Sequence, residues 1–466
     1  MIQTYDLTRS GATPLYEQLY RAIRHDILSG ALPGGTRLAS KRALAEHLSV
    51  SKLTVETAYA QLVAEGYITA RQRSGYYVEQ LMPLAPADTQ ASPPSTALPA
   101  VCQQPEAAPQ PAASAALFPF SVWARLMRTV LLDNSAALMT RAPGAGVWEL
   151  RRAICDELSH LRAMHVAPEQ VVIGAGTEYF YNLLLQFLGR DKCYGIEALG
   201  HRKIARVYRA NGVHVCALPL DSDGIDPQTL AQSPVQVLHI SPAHQYPTSV
   251  VTPAARRQAI LHWLAGDPAR FLIEDDFDSE FRFSGLPIPP LQSMDTTGRV
   301  LYMNTFSKTL TPSLRISYLI LPPQLAAQWQ ASMGFYSCPV PSFEQFTLAR
   351  FLAGGWFEKH LSRTRKHYRA VREQLLTLLA APPCADRFTV LGSGVGLHLL
   401  LQIRTELPDD ALRPLLQKAG LHAELLSSFY FDAPPADARA RIVLHYADLD
   451  PAAMQQALVR LAQLLA

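Results

Sequence analysis

A proline-rich stretch at residues 80–116 divides this 466-residue chain into two parts that must fold separately. The stretch carries no Lys or Arg and few large apolar side chains, so it cannot bury enough surface to build a core. We therefore predict a small unit at 1–79, a linker at 80–116 and a large unit at 117–466. The eight prolines of the linker lie among Ala, Ser and Gln: Pro83, Pro86, Pro93, Pro94, Pro99, Pro105, Pro109 and Pro111.

The rest of the sequence has the composition of a globular protein, with 48% hydrophobic and 17% charged residues. A net charge of +3 is small for this length, so contact with a nucleic acid would require a local basic patch. The N-terminus lacks the apolar core of a signal peptide and no apolar run is long enough to cross a bilayer, which predicts a cytoplasmic protein without a membrane partner. The six scattered cysteines are expected to be free thiols, and no metal site is expected.

The small unit has the pattern of a helix-turn-helix. Pro14 opens a helical periodicity that Gly30 ends, and Ser40 can cap a second helix. A three-residue break at 49–51 then leads into a third helix. Two helices joined so tightly are typical of a helix-turn-helix, whose second helix enters the DNA major groove. Residues 66–78 follow with the pattern of a β-hairpin wing.

Basic and small polar side chains are placed where such a fold would meet DNA. Segment 1–79 holds nine Lys and Arg against seven Asp and Glu, a small excess that alone would not indicate DNA binding. Their placement on the turn, the second helix of the motif and the wing is more informative. The predicted DNA-contacting residues are Lys41, Arg42, Ser51, Lys52, Thr54, Arg71, Arg73 and Gly75.

These residues closely resemble the GntR family of bacterial regulators. The family pattern reads here as PGGTRLASKRALAEHLSVSKLTVETAYAQLVAEGYITARQRSGYYV over 33–78, with Ala39 where the family usually has proline. The resemblance implies a double-stranded DNA operator as the partner. The alternative is a winged helix that serves only in protein contacts.

In the large unit, apolar strands alternate with helical patterns, which predicts an α/β fold with a mostly parallel sheet. The strand at 171–173 runs into a glycine-containing turn and then a helix. Gly176 and Thr177 therefore lie where backbone N–H groups and the helix dipole favour an anion.

Two further strands end in reactive side chains. One runs into the acids of 274–278, including Asp275, and buried carboxylates need partners. The other leads to Ser307 and Lys308, and Arg315 follows seven residues after the lysine.

Pyridoxal phosphate requires four things of a protein: an amine for its aldehyde, a carboxylate for its ring nitrogen, donors for its phosphate and a flat group over its ring. The residues at these strand ends, with one aromatic side chain, can supply all four: Lys308; Asp275; Gly176, Thr177, Ser307 and Arg315; and His201.

From Leu117 onward the chain resembles the fold type I aminotransferases. Together with the helix-turn-helix of the small unit, it resembles the MocR subfamily of GntR regulators. The motifs that carry this resemblance are GAGTE (174–178), SPAHQYPTS (241–249), IEDDFDSEFRF (273–283) and NTFSKTLTPSLR (304–315). The resemblance implies a pyridoxal-phosphate-binding domain with a smaller C-terminal α+β subdomain. It also implies roles for particular residues: Lys308 in the internal aldimine, Asp275 on the pyridine nitrogen, Ser307 and Arg315 on the phosphate, and Tyr246 and Phe277 in the cofactor-binding set.

Several positions depart from the aminotransferase pattern. Phe277 stands where many relatives have a tyrosine that contacts the cofactor, His201 replaces a stacking tyrosine, and Ser249 replaces a glycine. Val443 takes the place of the arginine that anchors a substrate carboxylate. Arg441, on the same strand face, is the predicted but shifted anchor for an effector carboxylate. Cofactor binding is therefore expected, whereas efficient turnover of an amino acid is not.

Three interpretations remain open from the sequence. The first is a transcription regulator whose DNA affinity is modulated at the Lys308 pocket by pyridoxal phosphate, an amine, an amino acid or a vitamer. The second is an active aminotransferase that carries a DNA-binding domain, and a scaffold without cofactor is a third, plainer reading. A transaminase-like half-reaction is compatible with the first. Both halves predict a homodimer, and the resemblance implies a domain-swapped one.

Overall fold

The computed structural model describes residues 3–8, 13–71, 74–80, 117–283, 288–392, 395–435, 438–447 and 450–465. The chain divides into two compact units, Met1–Glu106 and Ala107–Ala466. The division falls within the predicted linker, of which residues 81–116 lie outside the described residues. Within the described ranges, no helix combines the length and the apolar character needed to cross a membrane.

The small unit consists of three helices followed by a two-stranded antiparallel hairpin. The elements are α1 (Leu15–Leu28), α2 (Lys41–His47), α3 (Lys52–Ala64), β1 (Ile68–Arg71) and β2 (Gly75–Val78). The helical periodicity buries Leu19 and Ile23 of α1 against Val55 and Leu62 of α3. The helix-turn-helix and wing predicted from the sequence are thus confirmed.

Serine side chains cap both helices of this motif, and a residue with a positive φ lies in the turn between them. Ser40 Oγ accepts a hydrogen bond from the N–H of Ala43, and Ser51 Oγ accepts one from the N–H of Thr54. Each cap satisfies a donor that the first turn of a helix leaves unpaired. Between the helices, Ser49 has a φ of 51°, in the left-handed region that reverses the chain within few residues.

The large unit alternates helices and strands. Its helices are α4 (Phe120–Asp133), α5 (Ser135–Leu138), α6 (Trp148–Arg162), α7 (Thr177–Leu188), α8 (Arg202–Ala210), α9 (Pro227–Gln232), α10 (Ala254–Ala265), α11 (Leu291–Met294), α12 (Pro323–Met333), α13 (Ser342–Ala353), α14 (Trp356–Leu379), α15 (Cys384–Arg387), α16 (Asp409–Ala419) and α17 (Pro451–Leu464). Its strands are β3 (Val171–Gly174), β4 (Tyr194–Glu197), β5 (Val215–Leu218), β6 (Leu220–Asp221), β7 (Gly224–Ile225), β8 (Val237–Ile240), β9 (Phe271–Asp276), β10 (Val300–Thr305), β11 (Ser317–Ile320), β12 (Phe388–Leu391), β13 (His398–Ile403), β14 (Ala423–Leu425) and β15 (Arg441–His445).

Seven of these strands form one sheet in the order β3-β11-β10-β9-β8-β4-β5. Only β11 runs against its neighbours, and the other pairs are parallel, which confirms the predicted mostly parallel sheet. Helices cover both faces, as such a sheet requires. Phe180 of α7 and Tyr208 of α8 pack on one face, and Leu230 of α9 and Trp263 of α10 pack on the other.

A smaller antiparallel sheet, in the order β12-β13-β15-β14, follows with α16 and α17. It is the C-terminal α+β subdomain predicted from the resemblance. The carboxyl ends of β9 and β10 meet at one edge of the large sheet, the edge at which open α/β folds bind ligands.

The packing of Gly396 against His244 gives a test of the large unit. Gly396 has a φ of 83°, and a Cβ built on it would lie 1.9 Å from His244 Cε1, whose ring is held 2.6 Å from Asp278. Gly420 has a similar φ of 72° and nothing within 4 Å. Gly396→Ala should therefore lower the free energy of unfolding by about 1–3 kcal/mol more than Gly420→Ala, measured by calorimetry on the full chain. Equal losses for the two variants would contradict this packing.

Candidate cofactor site and nucleic-acid interface

The four acids at the end of β9 are all buried, at 0–3% exposure. Three of them have hydrogen-bond partners, as buried carboxylates must. Glu274 accepts from the N–H groups of Leu291 (2.9 Å) and Gln292 (3.0 Å). Asp276 accepts from Arg162 and from Tyr302 Oη (2.8 Å), and Asp278 lies 2.6 Å from His244 Nδ1. Burial raises the pKa of Glu274 to about 7. The fourth acid, Asp275, differs from the others.

Asp275 is half satisfied. Its Oδ2 accepts a hydrogen bond from Tyr181 Oη at 2.9 Å and lies 3.4 Å from His239 Nε2. The other ring nitrogen of His239 lies 2.7 Å from Tyr208 Oη, which holds the imidazole in place. Asp275 Oδ1 is buried and has no hydrogen-bond partner among the described residues. A buried acceptor left unpaired is costly, so this oxygen is available to an external N–H donor.

A turn containing Gly176 leads into the start of α7. Gly176 caps this helix with a φ of 83°, and a Cβ there would lie 2.3 Å from Arg315 Nη2. The Arg315 guanidinium therefore packs directly over the glycine, and it is 3.7 Å from Glu178. Thr305 Oγ1 accepts from the N–H of Ser307 and donates to Ser307 Oγ at 3.0 Å. The structure thus brings Gly176 and Arg315 together at the start of α7, and Ser307 follows the carboxyl end of β10.

Lys308 is exposed and lines a cavity that also contains Ser307 and His445. The sequence did not single out His445, which ends β15. Its Nε2 lies 3.1 Å from Tyr246 Oη. The available signal was a histidine that directly follows the apolar residues 442–444 of this strand.

Aromatic rings crowd the neighbouring space. The rings of His201 and Tyr246 are stacked, with centroids 4.1 Å apart and planes inclined by 7°, and Phe277 meets His201 edge-on at 5.3 Å. Burial lowers the pKa of His201 to about 4, so the ring is neutral at physiological pH. Glu197, at the end of β4, lines a second cavity with His201 and Tyr246, and its burial raises the carboxyl pKa to about 8.

Further histidines surround this aromatic group. Ser249 Oγ lies 3.3 Å from His244 Nε2 and 3.1 Å from His398 Nε2. Ser249 has a φ of 62°, a conformation for which glycine is the usual residue. Burial, with His244 and His445 nearby, holds the pKa of His398 well below its usual range.

Arg441 lies apart from Lys308. Arg441, Val443 and His445 share one face of β15, but only His445 reaches the Lys308 cavity. Val443 is buried, and Arg441 donates from Nε to Gln402 Oε1 at 3.0 Å and lines a separate cavity. The structure therefore does not bring the predicted carboxylate anchor to the lysine.

The small unit presents the predicted DNA-contacting residues unequally. Lys41 Nζ is 2.6 Å from Glu56 Oε1 and lies over the Tyr76 ring, and Arg42 is ion-paired with Glu46. Lys52 and Arg71 are exposed and form no ion pair among the described residues.

The remaining interface residues are structural or lie outside the described ranges. The hydroxyl groups of Ser51 and Thr54 are hydrogen-bonded to each other at the N-terminal cap of α3. Gly75 opens β2 with a φ of 116°, and a Cβ there would be 3.5 Å from Arg37 Nε. Arg37 is exposed, and its backbone forms a β-bridge with Tyr77 of the wing. Arg37 is therefore an additional cation beside the wing that the sequence did not indicate. Arg73 lies outside the described residues.

Known proteins resemble both units. Residues 15–78 match the family of bacterial regulatory proteins, gntR family. The chain is 33% identical over 470 residues to the probable rhizopine catabolism regulatory protein MocR of Rhizobium meliloti, covering 97% of this chain and 93% of that protein. It is 32% identical over 420 residues to the HTH-type pyridoxine biosynthesis transcriptional regulator PdxR of Corynebacterium glutamicum, covering 90% and 89%.

Among solved structures, an archaeal alanine:glyoxylate aminotransferase superposes on 75% of this chain and 88% of its own, with a TM-score of 0.66 and 22% identity. At that identity the likeness shows the fold of the large unit. The two full-length relatives, by contrast, share both units with this chain. The chain therefore belongs to the MocR subfamily of GntR-type regulators, and it is a DNA-binding transcription regulator that joins a winged helix-turn-helix to a domain with the fold of type I aminotransferases.

Proposed function

We propose that this regulator changes its affinity for operator DNA when pyridoxal phosphate, with or without a small amino compound, binds at the Asp275–Lys308 site. The observation that carries the proposal is the unpaired, buried Oδ1 of Asp275. A protonated pyridine nitrogen is a donor that would satisfy it, and the charged carboxylate would in turn keep that nitrogen protonated. Tyr181 and His239 occupy the other oxygen and so fix the direction in which Oδ1 points.

The other residues fit the rest of the cofactor. Gly176 and Thr177 at the start of α7, together with Ser307 and Arg315, would hold the phosphate, and His201 would cover the ring. Pyridoxal phosphate supplies an aldehyde that can join an amine, either that of Lys308 or that of an effector. Lys308 is exposed beside His445. Its side chain would carry a free ammonium when the effector amine is joined to the cofactor, and a nitrogen joined to the cofactor otherwise. This difference in charge at Lys308 would favour one of two arrangements of the helix-turn-helix units over the other.

Regulation is favoured over turnover by the position of Arg441. An aminotransferase needs a cation beside the reacting lysine to hold the substrate carboxylate, and Arg441 lines a different cavity, bonded to Gln402. We therefore assign the site to sensing an amino compound or vitamer.

The proposal assigns a role to each of the three segments predicted from the sequence. Residues 1–79 are the reader, 80–116 the linker, and 117–466 the effector and dimerisation domain. A winged helix-turn-helix reads paired half-sites as a dimer. The assembly is then a homodimer, and the resemblance implies that it is domain-swapped.

Lys308 tests the regulatory proposal directly. Lys308→Ala should abolish the visible absorbance of lysine-bound cofactor and remove the response of DNA affinity to added pyridoxal phosphate and amines, because no amine remains to be exchanged. DNA binding without ligand should persist in fluorescence anisotropy with operator DNA. Lys418→Ala, at an exposed lysine of α16, is the matched control. A ligand response that survives in Lys308→Ala would refute the version of the proposal in which an amine is exchanged at Lys308.

Gly176 tests the phosphate end of the site. Gly176→Ala should weaken pyridoxal phosphate binding by roughly tenfold or more, about 1.4 kcal/mol, because the added Cβ displaces Arg315. Gly212→Ala has a comparable φ of 75° and nothing within 4 Å, so it controls for backbone strain. Both affinities are measured by spectroscopic titration of the full chain. Equal weakening by the two variants would remove Arg315 from the site.

The DNA interface makes a separate prediction. Lys52→Ala and Arg71→Ala should each weaken operator binding, and for each the slope of log affinity against log salt should fall by about 1, as expected for one lost phosphate contact. Arg21→Ala is the control, since Arg21 is exposed on α1 and paired with Glu17. An equal loss in Arg21→Ala would show that overall charge, not placement, governs binding.

A further inference from the structure

A second cluster of reactive side chains lies on the large sheet, away from the Lys308 site. Cys193 immediately precedes β4, and His214 and Cys216 lie at the start of β5. The two sulfurs are 3.1 Å apart, and His214 Nδ1 is 3.2 Å from Cys193 Sγ and 3.9 Å from Cys216 Sγ. These strands run parallel to β9, so their amino ends lie at the edge of the sheet opposite to Asp275.

The strand register explains why three residues so separated in sequence meet. Gly195 pairs with Cys216 in parallel register, which places Cys193 opposite His214. Because side chains alternate along a strand, all three point to the same face of the sheet. Cys193 is buried, Cys216 half-buried and His214 exposed, so the cluster extends from the core to solvent beside the edge strand.

The same register disfavours a disulfide. An offset of two residues between adjacent strands separates the Cα atoms of Cys193 and Cys216 by about 8 Å, given a strand spacing of about 4.8 Å and a rise of about 3.3 Å per residue. A disulfide requires Cα atoms within about 7 Å. The two thiols therefore approach along a diagonal that a shared ligand bridges better than a covalent bond.

We propose that Cys193, His214 and Cys216 form a binding site for a thiophilic metal ion of the Zn²⁺ class, with a fourth coordination position open to solvent. Two thiolates and an imidazole are donors that Zn²⁺ prefers, and three protein ligands leave one position for an exchangeable ligand. A tetrahedral Zn²⁺ holds two sulfurs about 3.8 Å apart, and sulfur and nitrogen about 3.6 Å apart. The donors would thus need to shift by about 0.7 Å or less.

The surroundings suit such a site. The N–H of Cys193 donates to Gln236 Oε1 at 3.4 Å, and Leu218 and Val235 pack in the same core, which fixes the buried ligand. His214 is exposed and gives the ion a path from solvent. The inference is independent of pyridoxal phosphate, because no residue of the Lys308 site takes part.

The test is metal binding by the full-length protein, purified under reducing conditions and freed of metal with a chelator. Co²⁺ is added and its visible d–d absorption is recorded, and Zn²⁺ then displaces it. We expect one tight equivalent per chain with the spectrum of tetrahedral thiolate coordination. Cys193→Ser and Cys216→Ser should abolish that spectrum, and His214→Ala should weaken Zn²⁺ binding by roughly 100-fold or more, exceeding the loss from an outer partner.

Controls separate a lost ligand from a lost fold. Cys338→Ser and His262→Ala alter residues of the same types elsewhere and should bind Co²⁺ as the unmodified chain does. His214→Ala changes an exposed side chain, so it keeps the test valid if a cysteine variant fails to fold. Co²⁺ binding unchanged in His214→Ala, no tight equivalent in the unmodified chain, or a Cys193–Cys216 disulfide found by mass spectrometry would each overturn the proposal.

Discussion

The parallel pairing of β9 with β10 is the constraint on which the candidate cofactor site depends. It sets Asp275 beside Met303, so that the carboxylate and the segment leading to Lys308 leave the sheet at the same edge. β8 pairs with β9 on the other side and brings His239 to the carboxylate. A slip of one residue in this register would turn Asp275 to the opposite face of the sheet, away from Tyr181 and His239.

Local signals in the sequence predicted much of this architecture. Ser40 is a cap whose pattern is visible within four residues, Asp275 lies at the end of an apolar strand, and Lys308 follows another such strand. Contacts made across the fold left no such signal. Tyr181 lies 94 positions from the Asp275 that it bonds, and Tyr246 lies 199 positions from His445.

The DNA reader shows why counting charges is insufficient. Lys41 belongs to the motif by position, yet Glu56 and Tyr76 hold its ammonium, which leaves less of its charge for a phosphate. Arg37 has no helical or wing pattern of its own, but a bridge to Tyr77 brings it to the hairpin. The pairing of a cation is a tertiary property, and it decides how many cations a reader offers to DNA.

The buried acids of the large unit couple its stability to proton binding. Burial raises the pKa of Glu197 to about 8 and that of Glu274 to about 7, from an ordinary value of 4.5. The stabilisation from holding these protons is complete below pH 4.5 and is lost as the pH rises through 7 and 8. His201, with a pKa lowered from 6.5 to about 4, contributes in the opposite sense, and its stabilisation is lost only in acid. Because Glu197 lines the cavity with His201, ligand affinities measured at pH 7 and at pH 8 would compare different protonation states of that carboxyl.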